Sequence, residues 1–194
     1  MSQPSYFIEP EQLEALRGNE NIVIIDLCKD KQYAQAHIPG AYHISYMNII
    51  KIDKPIMGLL PDNEHFSALL SDLGITSRSL IVAYDDEGGG CAARFVWTLN
   101  VFGHETAVVL NGGLHSWANE GHELSLEVPS KPEPSDYQLK KTHRHTATRA
   151  FIQTHLDDDN VVLLDARSLA EYKGTKRLAD KAGHIPGDVN YDWT

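Results

Sequence analysis

This chain of 194 residues predicts an α/β fold: a parallel sheet flanked by helices, laid down once in full and then begun a second time. Three observations carry that reading. Apolar runs alternate with helix-like stretches from residue 9 to residue 121. The runs are apolar on both faces, as parallel strands covered by helices must be. Finally, Leu163-Leu164-Asp165-Ala166-Arg167 followed by Gly183-His184-Ile185-Pro186-Gly187 repeats Ile24-Ile25-Asp26-Leu27-Cys28 followed by Ala36-His37-Ile38-Pro39-Gly40.

The elements follow in order. Pro10 and Glu11 open a short helix, because a first-turn proline loses no hydrogen bond and the helix dipole favours acid there. Ile22 to Leu27 reads as a buried strand. Asp62 can cap a helix running through Leu73 and closed by Gly74, and Ser79 to Tyr84 is the next strand. Gly88-Gly89-Gly90 leads into a helix from Cys91 to Phe102, closed by Gly103. Ala107 to Leu110 is a further strand, and Asn111-Gly112-Gly113 turns into a short helix bearing Trp117.

The first unit therefore spans 1–124. Pro129, Pro132 and Pro134 mark 125–146 as a semi-extended linker. The second unit, 147–194, opens with a helix over Thr148 to Leu156 and a strand over Val161 to Leu164. Asp26 and Tyr33 answer to Asp165 and Tyr172 at an offset of 139, whereas His37 answers to His184 at 147. The second copy thus holds eight extra residues within Lys173 to Lys181, as a surface loop tolerates. Only seven residues follow its Gly187, against 81 from Gly40 to Gly121 in the first copy. The expectation is a chain truncated within its second domain.

Composition narrows the function. A net charge of -10 opposes binding to nucleic acid or anionic lipid. No stretch approaches the roughly 20 apolar residues of a membrane span, and the polar start lacks a signal-peptide pattern. Two cysteines, Cys28 and Cys91, make no disulfide framework. A soluble, cytoplasmic protein is expected.

Tyr33, His37-Ile38-Pro39-Gly40-Ala41 and the apolar residues after them resemble the first signature of the rhodanese family, the thiosulfate and 3-mercaptopyruvate sulfurtransferases. Phe102-Gly103-His104, Leu110-Asn111-Gly112-Gly113-Leu114, Trp117 and Gly121 are similar to the family's last strand and helix. The resemblance covers 10–124 and again 147–194. It implies a rhodanese-like fold in tandem, and a reaction in which a cysteine thiolate takes sulfane sulfur from thiosulfate or 3-mercaptopyruvate and passes it to cyanide or a thiol. In active members that cysteine follows the central strand and heads a loop of converging N–H groups.

Here the position is Asp85, so the first copy is expected to be catalytically silent. The nucleophile is expected in the second copy, about 55 to 60 residues beyond Thr194 by repeat logic. Supporting candidates are Asp165, Arg167, Glu171 and Lys173. Glu171 stands where some members carry an arginine that holds the donor anion, and the bland reading of Asp165 and Arg167 is a structural ion pair. The alternative nucleophile is Cys91, near a helix start with Arg94 one turn on, although Asp85, Asp86 and Glu87 oppose a thiolate there. Cys28 stands in the place of Arg167. His37 and His184 are read as turn scaffolds.

Other chemistries fit less well. Gly88-x-Gly90-x-x-Ala93 matches a dinucleotide fingerprint formally, but three carboxylates precede it and Asn111 ends the next strand. A cysteine phosphatase loop fails because Asp85 replaces cysteine and Arg94 lies nine residues on. His143-Arg144-His145 and Asp157-Asp158-Asp159 lack ligand spacing for a metal. No cofactor or metal is expected. The partners would be a small anionic sulfur donor and a thiol or cyanide acceptor, and an incomplete second unit leaves self-association open. The second reading is a non-catalytic rhodanese-like binding or regulatory module.

Overall fold

The computed structural model describes residues 6–142 and 144–193. The chain forms two compact units that divide between His145 and Thr146. The first is built on a five-stranded sheet in the order β1-β7-β6-β2-β3, every pair parallel. These strands are β1 (Phe7–Ile8), β2 (Ile22–Asp26), β3 (Tyr42–His43), β6 (Leu80–Tyr84) and β7 (Ala107–Leu110). Around them lie α1 (Pro10–Leu16), α2 (Asp30–Gln35), α3 (Asn63–Asp72), α4 (Gly90–Val101) and α5 (Gly113–Asn119).

Side chains alternate across a strand, so β2 and β6 each feed two cores. Val23, Ile25, Ile81 and Ala83 pack with Phe66 and Leu70 of α3 and Phe95 and Leu99 of α4. Ile24, Val82 and Tyr84 pack on the other face with Leu13 of α1 and Leu114 and Trp117 of α5. The expected α/β sandwich is the one observed. The helices expected at Asp62 and at Cys91 run Asn63–Asp72 and Gly90–Val101. Asp62 does hold the N-cap position, but its carboxylate takes the Lys51 ammonium at 2.8 Å and makes no side-chain cap bond.

Two features were not legible in the sequence. An antiparallel hairpin, β4 (Lys51–Asp53) and β5 (Ile56–Leu59), stands outside the main sheet. The proline-rich stretch expected as a linker lies along the first unit: Ser135 N–H donates to Ser71 O at 2.9 Å, Leu139 is buried, and Thr142 N–H donates to Val101 O at 2.7 Å. Buried His104 holds this strap, its Nδ1 lying 3.0 Å from the Tyr137 hydroxyl.

The second unit contains α6 (Arg149–Thr154), β8 (Leu164–Asp165), α7 (Leu169–Tyr172) and β9 (Val189–Asn190). Thr148 caps α6 by accepting from Phe151 N–H at 3.1 Å. The strand expected over Val161 to Leu164 shrinks to two residues. Its counterpart β2 is fixed by five-residue pairing with β6, whereas among the described residues β8 pairs only with β9. None of the unit's described residues is buried, and Val162, Leu164, Val189, Tyr191 and Trp193 are exposed.

The local geometry nevertheless repeats. Ile25↔Tyr42 and Asp26↔His43 in the first unit become Leu164↔Val189 and Asp165↔Asn190 in the second. Tyr33 and His37 stack at 4.0 Å, Tyr172 and His184 at 3.9 Å. Each tyrosine hydroxyl donates to the carbonyl closing the turn, Ala41 O at 2.9 Å and Asp188 O at 3.2 Å. No helix among the described residues is long and apolar enough to cross a membrane.

Candidate functional site

In the first unit, β2 and β6 are neighbours whose carboxyl ends open between helices on opposite faces, the usual place for a site in a parallel sheet. Asp85, the first residue after β6, is buried there. Its Oδ1 accepts N–H bonds from Glu87 at 3.0 Å and Gly89 at 2.8 Å, and its Oδ2 accepts from Ala92 at 3.0 Å. Gly88 and Gly89 both have φ of +89°, which turns successive N–H groups inward. Behind the loop, Leu114 N–H donates to Asp85 O at 3.0 Å. A Cβ on Gly113 would lie 2.3 Å from that same oxygen, so only glycine fits. The loop is an anion-binding nest, and its anion is the protein's own carboxylate.

The neighbouring thiols are poorly placed for chemistry. Cys28 and Cys91 line one cleft of about 490 Å³ with Lys29, Ser45, Tyr46 and Glu87. Burial, then the charges of Asp85, Glu87 and Asp86, push the Cys91 thiol up. Burial and Asp26 push Cys28 up much further. Lys29, whose charge favours the Cys91 thiolate, is ion-paired with Glu87; Lys31 also lines the cleft. Arg94 does not serve Cys91. Its Nη2 donates to Gly58 O at 2.8 Å and its guanidinium lies 4.7 Å from the Trp97 ring centre, so the expected Cys91–Arg94 pairing gives way to a hairpin anchor.

Sequence reasoning missed one cluster. Buried Asp26 accepts from Cys28 N–H at 2.8 Å, and half-buried His43 bridges it to Asp30, with its ring nitrogens 3.4 Å from Asp26 Oδ1 and 2.9 Å from Asp30 Oδ1. The Asp26 bond, opposed by burial, raises the His43 pKa on balance. The available signal was the register that sets His43 beside Asp26; in the second copy that place is Asn190.

In the second unit the structure brings Asp165, Arg167 and His184 together around an open groove of about 650 Å³. Asp165 Oδ1 accepts from Arg167 N–H at 2.9 Å and from its Nε at 3.0 Å, while Arg167 Nη2 also donates to Gly183 O at 3.0 Å. The guanidinium holds the Asp165 carboxyl down to about 2. Arg167 is therefore already committed to the turn. Glu171 is engaged elsewhere, its Oε2 accepting from Ser168 Oγ at 2.5 Å, and Lys173 is an exposed residue capping α7.

The two turn histidines are tied into the backbone. His37 Nδ1–H donates to Tyr33 O at 2.8 Å and His184 Nδ1–H to Tyr172 O at 2.9 Å. Asp158, in the acidic run, accepts from Asn160 N–H at 2.9 Å in a local turn. His143 lies outside the described residues. No group of three or more His, Cys, Asp or Glu suited to a metal occurs among the described residues.

Comparison with known proteins follows the same lines. Residues 9–120 match the family model described as a rhodanese-like domain. The chain is 40% identical over 187 residues to a thiosulfate sulfurtransferase of Pseudomonas aeruginosa, covering 96% of this chain and 69% of that protein. It is 29% identical to a mouse (Mus musculus) 3-mercaptopyruvate sulfurtransferase, covering 95% and 66%. Among solved structures, SseA from Escherichia coli, described as a 3-mercaptopyruvate sulfotransferase of rhodanese fold, superposes with a TM-score of 0.85. That match has 22% identity and covers 98% of this chain and 76% of that one, and it shows the fold.

Proposed function

Because the chain belongs to the rhodanese-like domain family, we propose that it is a sulfurtransferase whose first unit is a silent scaffold and whose second unit presents part of the donor-binding face. In such a reaction a thiolate attacks the outer sulfur of thiosulfate, the sulfur–sulfur bond breaks, and sulfite leaves with the electron pair. Cyanide or a thiol then removes the sulfur from the persulfide and restores the thiolate. 3-Mercaptopyruvate is the alternative donor. The similarity to sulfurtransferases named for each donor supports both.

The observation that carries the silent-scaffold reading is the Asp85 carboxylate on three converging N–H groups. An incoming anion would have to displace a buried charge that already satisfies those donors. Neither cysteine replaces it, since both thiols are pushed up and disfavour the thiolate. The sulfur-carrying cysteine is thus proposed to be neither Cys28 nor Cys91, but one in the second unit's own counterpart of the Asp85 loop. Asp165 and Arg167 would position that loop, with Glu171 and Lys173 at its margin. The exposed apolar side chains on and beside β8 and β9, Val162, Leu164, Val189, Tyr191 and Trp193, support pairing with further protein, from another copy or from more of its own domain.

The test is a thiosulfate-to-cyanide and mercaptopyruvate-to-thiol assay on the purified chain beside Asp85→Cys, Cys28→Ser and Cys91→Ser. All four are expected to stay far below about 1 turnover per second, the low end of ordinary enzymes. Turnover by the native chain that vanishes in Cys91→Ser would overturn the assignment. The self-filled nest also favours a second reading, a binding or regulatory module. Extending the chain with a C-terminal segment carrying a cysteine-headed loop separates the two: transfer activity supports the enzyme, its absence the module.

A further inference from the structure

The first unit passes from Tyr33 to His37 in four residues; the second takes twelve, from Tyr172 to His184, to build the same ring stack and the same Nδ1 bond. The eight added residues are therefore not needed by the turn. They form a pinched loop whose ends touch: a Cβ on Gly174 would lie 3.0 Å from Gly183 N. Arg167 clamps Gly183 O at 3.0 Å, and at the loop's other end Lys176 N–H and Thr175 Oγ1 both donate to Ala170 O, at 2.9 and 3.0 Å.

Inside the loop, Arg177 donates to Ala179 O at 2.9 Å and to Asp180 O, which staples the apex. The apex residue, Leu178, is 72% exposed. Lys173, Lys176 and Lys181 surround it in sequence, all exposed, and none forms an ion pair with a described residue. Residues 173–181 thus hold four basic side chains and one acidic one in a chain of net charge -10.

We infer that this loop is a docking knob for an acidic protein segment that offers an apolar residue to Leu178. A folded loop with an exposed leucine among uncommitted cations has the anatomy of a small interface, an apolar anchor inside a charged rim. A small anion fits less well, because it would leave Leu178 without a role and Arg177 is spent on its own carbonyls. The inference does not depend on sulfur chemistry, since docking is read without turnover.

The experiment is fluorescence anisotropy of the purified chain with a labelled decapeptide of Glu and Asp around a central Leu-Leu. A Lys-rich decapeptide serves as control and millimolar thiosulfate as competitor. Saturable binding of the acidic peptide is expected, weakened about fivefold or more by Leu178→Ser and by the combined K173Q, K176Q and K181Q substitutions. Salt should weaken the native complex more than that of the triple variant. All the substituted side chains are exposed, and circular dichroism of each variant checks that the fold is unchanged. Absence of binding, native-like affinity in both variants, or displacement by thiosulfate would overturn the inference.

Discussion

The two units close the same turn with the same bonds, yet one has two buried cores and the other has none among its described residues. Asp26 and Asp165 each accept the N–H two residues on, at 2.8 and 2.9 Å, and each tyrosine stacks on its histidine at about 4 Å. What differs is the neighbour of the central strand. β2 lies between β3 and β6 and is five residues long; β8 has β9 alone among the described residues and is two. Short-range hydrogen bonds are thus enough to set a turn, whereas burial needs a second strand edge and helices on both faces.

The largest effect that could break this contrast comes from separating the units. A fragment of residues 6–145 is expected to melt cooperatively, and one of residues 146–194 to be unfolded by circular dichroism. A cooperative, monomeric melt of the shorter fragment would end the distinction. Within the intact chain, Trp117→Ala removes a wholly buried indole and should cost about 3–5 kcal/mol by urea titration. Val189→Ala, at an exposed position of β9, should stay within about 0.5 kcal/mol.

The paired aspartates sharpen the comparison at a smaller scale. Asp85→Ala leaves three inward N–H groups without their carboxylate, and a loss of about 2–4 kcal/mol is expected. Arg167→Ala removes the clamp on half-buried Asp165 instead. There the expected result is a carboxyl that returns from about 2 toward its ordinary 3.8, followed by NMR titration, with the melting temperature of the first unit unchanged.

The smallest effects are in pH dependence, and two histidines of the first unit have opposite signs. The His43 pKa is raised, chiefly by Asp26. Its contribution is therefore complete below the unfolded value of 6.5 and is lost as pH rises through the higher folded value. The His104 pKa is lowered by burial, so this group costs stability as pH falls from 6.5 through its lower folded value. Imidazole NMR titration should place the two midpoints on either side of 6.5, and a reversed order would contradict the assigned contacts.

The sequence by itself determined the class of fold and the repeated turn, because both are written in short-range pattern. Residues that alternate between two cores make Ile22 to Ile25 and Leu80–Tyr84 apolar throughout, and the paired glycines of 112 and 113 mark the last turn. It also singled out Asp85 as the residue that follows the central strand. Only the tertiary structure decided what these residues do, because their partners are remote in the chain or lie in loops with no period. Asp85 gained its role from inward-turned N–H groups, Arg94 left Cys91 for the carbonyl of Gly58, and His43 met Asp26 through sheet register. The proline-rich strap read as a linker because exposed and packed extended segments share one composition; a buried Leu139 and the His104–Tyr137 contact bind it to the first unit, and neither is encoded by neighbours in sequence.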